Sequence, residues 1–382
     1  MPFDKSSTLF PASQKMSFLG HCSISPLYGP AAELAVELIR DQQYHAGLHF
    51  VDTYLEQLEQ LKIHAAALLR TWPEHIAVVK NTSEALSMVA NGYPFEPGDE
   101  VISYIHEYPA NHYPWRLQER RGVKLKLLSN VPARDDISPV LPGGWSMAEL
   151  ESLITPRTRI VALSHVQFTS GYAADLRALG QLCRERGIDL VIDAAQSLGS
   201  MPVFPEEMNI AALASAGWKW LLGPFGTGVF YTSALFREKL APVQVGAETM
   251  QQGFDYLDHT WNPHTSAKRF EYSSSPISLV AALAKVIGEV HARYGAEAIY
   301  QEILRLQDVF LGALDNPNLK PLVFDPPHRS GILSLVGPDL KACNQRLLEA
   351  NIACALRSGF LRVAPHFYNT DEEMLRLAEA LS

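Results

Sequence analysis

The sequence predicts an α/β protein built on a mostly parallel sheet with covering helices, and three observations carry that prediction. Short apolar runs at 76–79, 100–105, 159–166 and 188–192 alternate with stretches whose apolar residues recur three and four apart. The runs are almost continuously apolar, as strands buried on both faces are. The polar candidates Thr82, Tyr108, Gln167 and Asp193 all follow the carboxyl ends of runs, which is one rim of such a sheet and the place where open α/β sheets bind ligands.

With 382 residues the chain can bury a large core and form two or three domains. A net charge of −9 with scattered Lys and Arg argues against non-specific nucleic-acid binding, and the basic run at 116–126, interrupted by Glu119, reads as a solvated helix face. Cys22, Cys183, Cys343 and Cys354 show no paired spacing, so neither a disulfide framework nor a zinc signature is expected. No apolar run reaches the roughly 18 residues of a membrane span and no signal-peptide core is present, so a cytoplasmic location is expected.

In chain order, the loop around FLGHCSISPL leads to a helix over 31–42 and then to YHAGLHF. His45 and His49 have a helical metal-ligand spacing, but Gly47 intervenes and no acid stands in the expected register, so no metal is expected. Leu55, Leu58 and Leu61 mark an amphipathic helix over 51–69. After the 76–79 strand, Asn81, Thr82, Ser83 and Glu84 start a helix whose free N–H groups suit an anion, or form an ordinary N-cap. Tyr108 follows the next strand, where its ring could lie over a planar cofactor or pack on the surface, and Pro109 stops the strand. Residues 128–145 are loop-forming, and a helix over 175–186 follows the 159–166 strand. Ser273 to Ser275 precede a stretch, 277–314, that is helical throughout and leads out of the first domain. Strand 331–336 and helix 340–350 follow. Arg362, inside an apolar strand, requires a carboxylate partner, either a substrate's or a structural one.

The central stretch is LVIDAAQSLGSMPVFPEEMNIAALASAGWKWLLGPFGTGVFY, residues 190–231. Asp193 ends a buried strand, and Lys219 stands between Trp218 and Trp220 before a glycine-rich turn. Desolvation by the tryptophans lowers the lysine pKa and frees its amine for Schiff-base chemistry. Separately, the acid could be a turn former and the lysine a snorkelling side chain. Together with an anion cradle, they meet the requirements of pyridoxal 5'-phosphate: an imine-forming lysine, an acid for the pyridine nitrogen and a phosphate site.

On these residues the chain resembles the class V aminotransferase family of fold-type I pyridoxal-phosphate enzymes, which includes cysteine desulfurases, cysteine C–S lyases and kynureninases. The resemblance runs from FLGHCSISP to RVAPHFYN and is most specific at DAAQ, Lys219 and GPFGTGVFY. It implies a fold-type I architecture, with a mainly parallel sheet of the seven-stranded type and a smaller α+β C-terminal domain. The large domain would span 28–285, and 1–27 with 286–382 would form the small one. It implies that Lys219 carries the cofactor and moves the substrate Cα proton, that Asp193 pairs with the pyridine nitrogen, that Gln196 bonds the ring oxygen and that Tyr108 stacks on the ring. Thr82, Ser83 and Trp218 would hold the phosphate, with Ser274 reaching it from the other subunit of a homodimer. Arg362 would clamp the substrate carboxylate, with His21 and Phe168 beside it.

The segment IACALRSGFLRVAP leaves almost no room for the desulfurase catalytic-cysteine loop, and Cys354 does not occupy its place, so persulfide-forming activity is not expected. HAGLH is similar to a segment at the desulfurase entrance. The leading expectation is an aminotransferase acting on an L-amino acid. The alternatives are a Cβ-lyase of the cysteine C–S lyase or kynureninase type and a non-catalytic binding protein on the same fold.

Overall fold

A computed structural model describes residues 2–49 and 53–382. Its strands are β1 (Ser17–Phe18), β2 (Ile76–Val79), β3 (Glu100–Tyr104), β4 (Lys124–Leu128), β5 (Thr158–Ser164), β6 (Asp189–Asp193), β7 (Ala212–Ala216), β8 (Gly228–Thr232), β9 (Lys320–Pro321), β10 (Leu333–Val336), β11 (Ile352–Ala353), β12 (Ala355–Arg357) and β13 (Phe360–Val363). Seven of them form one sheet in the order β2-β8-β7-β6-β5-β3-β4. Only β8 runs against the others.

The alternation of side chains across a strand splits this sheet's residues between two cores. Leu163, Ile192 and Leu213 pack on one face with Leu61, Leu69 and Trp220. Ala162, Val191 and Ala214 pack on the other with Leu86, Val89 and Trp115. Both faces are therefore covered, which explains why the sequence runs are apolar without a polar beat. Helices α1 (Gly29–His45) and α2 (Tyr54–Leu69) lie along the first face against the helix Ile277–Val286. Helix α3 (Thr82–Gly92) belongs to the second. The start expected for α2 at Val51 lies outside the described residues.

Strands β9, β10, β13 and β12 form a second, antiparallel sheet. It shares a core with the helices Ala296–Ala313, Leu340–Glu349 and Asp371–Leu381. The N-terminal segment joins the two parts. β1 pairs with β11 beside this sheet, while Phe10 and Cys22 are buried in the core of the large sheet. No helix among the described residues is long and apolar enough to cross a membrane.

Two expected elements differ. The stretch 277–314 is not one helix: it passes from Ile277–Val286 through a π-helical turn, Ile287–Ala292, and breaks at Gly295, whose φ of +80° is left-handed. The basic run at 116–126 is not one helix face, because Gly122 at φ +78° ends the helical turns and β4 begins at Lys124.

One loop stitches the two sheets together. After β5, Gly171 takes φ +81°, and a Cβ there would lie 2.3 Å from the Ile332 carbonyl. Ser330 and Ser334 hydroxyls donate to the Gly171 and Thr169 carbonyls, each at 2.6 Å. Gly331 packs flat on Trp220, where a Cβ would lie 2.8 Å from the indole. Gly171→Ala therefore combines a strained backbone with a clash against main chain, and is expected to cost roughly 3 kcal/mol in urea unfolding. Gly312→Ala is the control: it lies in a helix with open space around it and should gain about 0.5–1 kcal/mol.

Candidate active site

The carboxyl-end rim of the large sheet gathers most of the residues singled out in the sequence. Asp193, the last residue of β6, is buried, and the Ala195 N–H donates to its Oδ1 at 2.9 Å. Burial pushes its carboxyl pKa up, opposed by that N–H and by the charge of Lys219. Lys219 sits three residues past β7 and is half-buried. Burial pulls its ammonium pKa down; the charges of Asp193 and Cys22 oppose this, and Arg362 and Arg357 add to it. The lysine Nζ lies 5.6 Å from the Tyr108 ring centroid, a cation–π separation that puts the aromatic beside the amine.

Phe168 links the aromatic to the arginine. Its ring meets Tyr108 edge-on at 5.3 Å, and its carbonyl accepts from Arg362 Nη1 at 2.6 Å. Arg362 is buried in β13 with Nε unpartnered, so the guanidinium has capacity for an anionic ligand and meets no carboxylate among the described residues. Asn81 caps α3 by accepting the Glu84 N–H at 2.9 Å, which leaves the amides of Thr82 and Ser83 without intrahelical acceptors. Thr82 Oγ1 is buried and unpartnered there, while Ser83 is exposed. Orphaned donors of this kind at a helix N-terminus fit a phosphate.

Other residues stand in less direct roles. Gln196 is buried, donating to the Cys22 carbonyl at 2.8 Å and accepting from the Trp220 indole at 3.1 Å, which leaves one amide N–H for a further partner. Trp218 stacks on Phe225 at 5.1 Å. Ser274 is exposed in the run before the helix Ile277–Val286. His21 does not offer the substrate contact expected of it. It is fully buried, with Nδ1 2.8 Å from the Ala364 carbonyl and Nε2 2.7 Å from the Tyr368 hydroxyl, so both nitrogens are spent on holding β1 and the C-terminal segment together.

Sequence reasoning missed three groups. Arg357 is exposed in β12, its charge helps lower the Lys219 pKa, and it has no ion-pair partner among the described residues. Cys22 is buried beside Lys219 and Arg362, with its thiol pKa pushed up. Glu107 lies at the centre of a polar knot, accepting from the Ser164 N–H at 2.8 Å, the Ser164 hydroxyl and Gln167 Nε2 at 3.0 Å. Ser164 is the register partner of Asp193, so the two carboxyls occupy neighbouring strands' ends. A glutamate between His106 and Tyr108, just past a buried strand, was the available signal. Burial raises its pKa to about 7, and the Asp193 charge adds to that.

These residues fit pyridoxal phosphate. The Lys219 amine makes no hydrogen bond among the described residues, an acid stands near it, an aromatic flanks it and an orphaned anion cradle lies on the same rim. The class-V aminotransferase family pattern matches residues 40–377. A Pyrococcus abyssi protein named "Probable cysteine desulfurase" is 30% identical, over 95% of this chain and 93% of its own. One with the same name from Methanothermobacter thermautotrophicus is 25% identical over 95% and 93%. Among solved structures, the cystine C–S lyase C-DES with its product cysteine persulfide superposes with a TM-score of 0.86 at 22% identity, covering 98% and 99% of the two chains. The chain belongs to the class-V aminotransferase family. It is an enzyme with the fold-type I architecture, dependent on pyridoxal 5'-phosphate.

The Glu107 site makes a stability prediction. A carboxyl raised from 4.5 to about 7 binds more protons folded than unfolded, so stability falls as pH rises through that window. Glu107→Gln removes this term. Between pH 5 and pH 8 the variant should gain on the wild type by up to about 3 kcal/mol in urea unfolding.

Proposed function

We propose that the chain is a pyridoxal-phosphate-dependent carbon–sulfur lyase of cysteine-type L-amino acids, with cystine its favoured substrate. The observation that carries the reading is the turn between β12 and β13. Ser358 at φ +51° and Gly359 at φ +84° join the strands in two residues, the type I′ geometry, so no thiol-bearing loop stands between Cys354 and Arg362. Burial also pushes the Cys354 thiol pKa up, away from a nucleophilic thiolate. Sulfur would therefore leave on a small-molecule fragment and not on an enzyme cysteine. The names of the relatives support carbon–sulfur cleavage over transamination, the leading expectation of the sequence, although both begin with the same proton removal.

In this reading Lys219 would attach the cofactor, and the burial that lowers its pKa favours the neutral amine needed to take the substrate Cα proton. Bound there, the cofactor supplies an electron sink for cleavage at carbons next to the amine. Asp193 would pair with the ring nitrogen, Tyr108 would flank the ring and the free N–H of Gln196 would serve the ring oxygen. Thr82, Ser83 and the α3 N-terminus hold the phosphate, bordered by Trp218. Arg362 clamps the α-carboxylate beside Phe168. Arg357, exposed in β12 and without an ion-pair partner among the described residues, takes the second α-carboxylate that cystine carries and cysteine lacks. A homodimer would bring Ser274 to the phosphate of the other copy. The 251–264 arm supports this, exposing Phe254 at 73%, Leu257 at 90% and Trp261 at 63% in the single chain.

The test is turnover without any keto acid. L-Cystine should yield pyruvate over many cycles, detected by coupling to lactate dehydrogenase. Amino transfer that needs an added keto acid, with no pyruvate, would remove the proposal. Arg357→Gln should lower kcat/KM for cystine about tenfold and leave β-chloroalanine unchanged, whereas Arg362→Ala should lower both by roughly a hundredfold.

A further inference from the structure

A second polar cluster lies outside the rim, where α1 ends. Asp41 and His45 stand four apart on the helix, and Ala46 at φ +54° and Gly47 at φ +77° then take left-handed backbone in succession. That reversal folds His49 back over the helix. Both histidine Nδ1 atoms meet the same oxygen, Asp41 Oδ1, at 3.1 Å from His45 and 2.6 Å from His49, and their rings lie 4.4 Å apart. The acidic partner that the sequence reading found missing is therefore present, one turn before His45.

Two further features distinguish the cluster from an ordinary ion pair. Asp41 Oδ2 is buried and has no partner, so half of the carboxylate is unused although its neighbours crowd the other half. The carboxylate also sits near a helix C-terminus, where the backbone's partial negative charge favours a cation. The Asp41 carbonyl accepts the Ala46 N–H as part of that terminus. The donors of all three side chains lie within 4.8 Å of one another, and the cluster lines a cleft of about 350 Å³ that also holds Glu37 and Tyr44. Tetrahedral zinc with its usual bond lengths spaces its ligand atoms about 3.3 Å apart, so small side-chain rotations complete the set.

We propose that Asp41, His45 and His49 form a binding site for a first-row divalent cation, with zinc the best match to two imidazoles and a carboxylate. The ion binds between the imidazoles and Asp41, with each neutral ring coordinating through Nδ1 and carrying its single proton on Nε2. Water completes the coordination from the open side, since His45 and His49 are 52% and 69% exposed.

The experiment is zinc titration of the dialysed holoenzyme against a chromophoric chelator, with Asp41→Asn, His45→Gln and His49→Gln in parallel. One equivalent per chain is expected in the wild type and its loss in each variant, with far-UV circular dichroism unchanged. Cobalt(II) should give weak visible bands of nitrogen and oxygen ligands. No stoichiometric zinc in the wild type, or an equivalent retained by the variants, would overturn the proposal. So would an intense near-ultraviolet thiolate-to-cobalt band, which would place the metal on a cysteine.

Discussion

The site depends on one electrostatic arrangement: a lysine and an aspartate taken out of water at the same rim, each opposing the neutralisation that burial imposes on the other. Neither charge is inexpensive at that depth, and an isolated one would titrate away. Asp193 is kept at its post by the end of β6 and by the Ala195 N–H, while Lys219 is set by the end of β7 and by the fully buried Trp220 that follows it. The adjoining strands β6 and β7 thus hold the pair to a fixed separation. A parallel sheet suits the task because all its strand ends of one kind open on the same rim.

The second constraint is that Arg362, the proposed carboxylate clamp, comes from the other sheet. Arg362 lies in β13, yet its nearest polar contact is the carbonyl of Phe168, in the loop that follows β5. That loop is tied to β10 through Ser330, Ser334 and the close approach of Gly171, so the two sheets are registered at the point where substrate would be held. The tight β12–β13 turn joins the strand that carries Arg357 directly to the strand that carries Arg362. Besides Asp193, the charges that act on the amine from this side are the cations Arg362 and Arg357.

Much of this was legible in the sequence, for reasons that differ by residue. Asp193, Lys219, Thr82 and Tyr108 stood out because strand ends and helix starts are local patterns, and a local pattern fixes which rim a residue occupies. Arg362 was visible as a charge inside an apolar run. Glu107, Cys22 and Arg357 were not, since their importance arises from strands that meet only in the folded sheet. His21 was misjudged for the same reason: nothing local indicates that Ala364 and Tyr368 consume both of its nitrogens. The break at Gly295 was hidden because apolar spacing continues through it, and Asp41 because the reversal at Ala46 and Gly47 brings His49 back where a straight helix would not.

The central claim is that Lys219 alone anchors the cofactor opposite Asp193. Borohydride reduction of the holoenzyme, followed by peptide mapping, tests it most directly. The account predicts one pyridoxyl group per chain, on Lys219, and none on Lys219→Ala. A pyridoxyl group on another lysine in the wild type, or its undiminished presence in the variant, would contradict it.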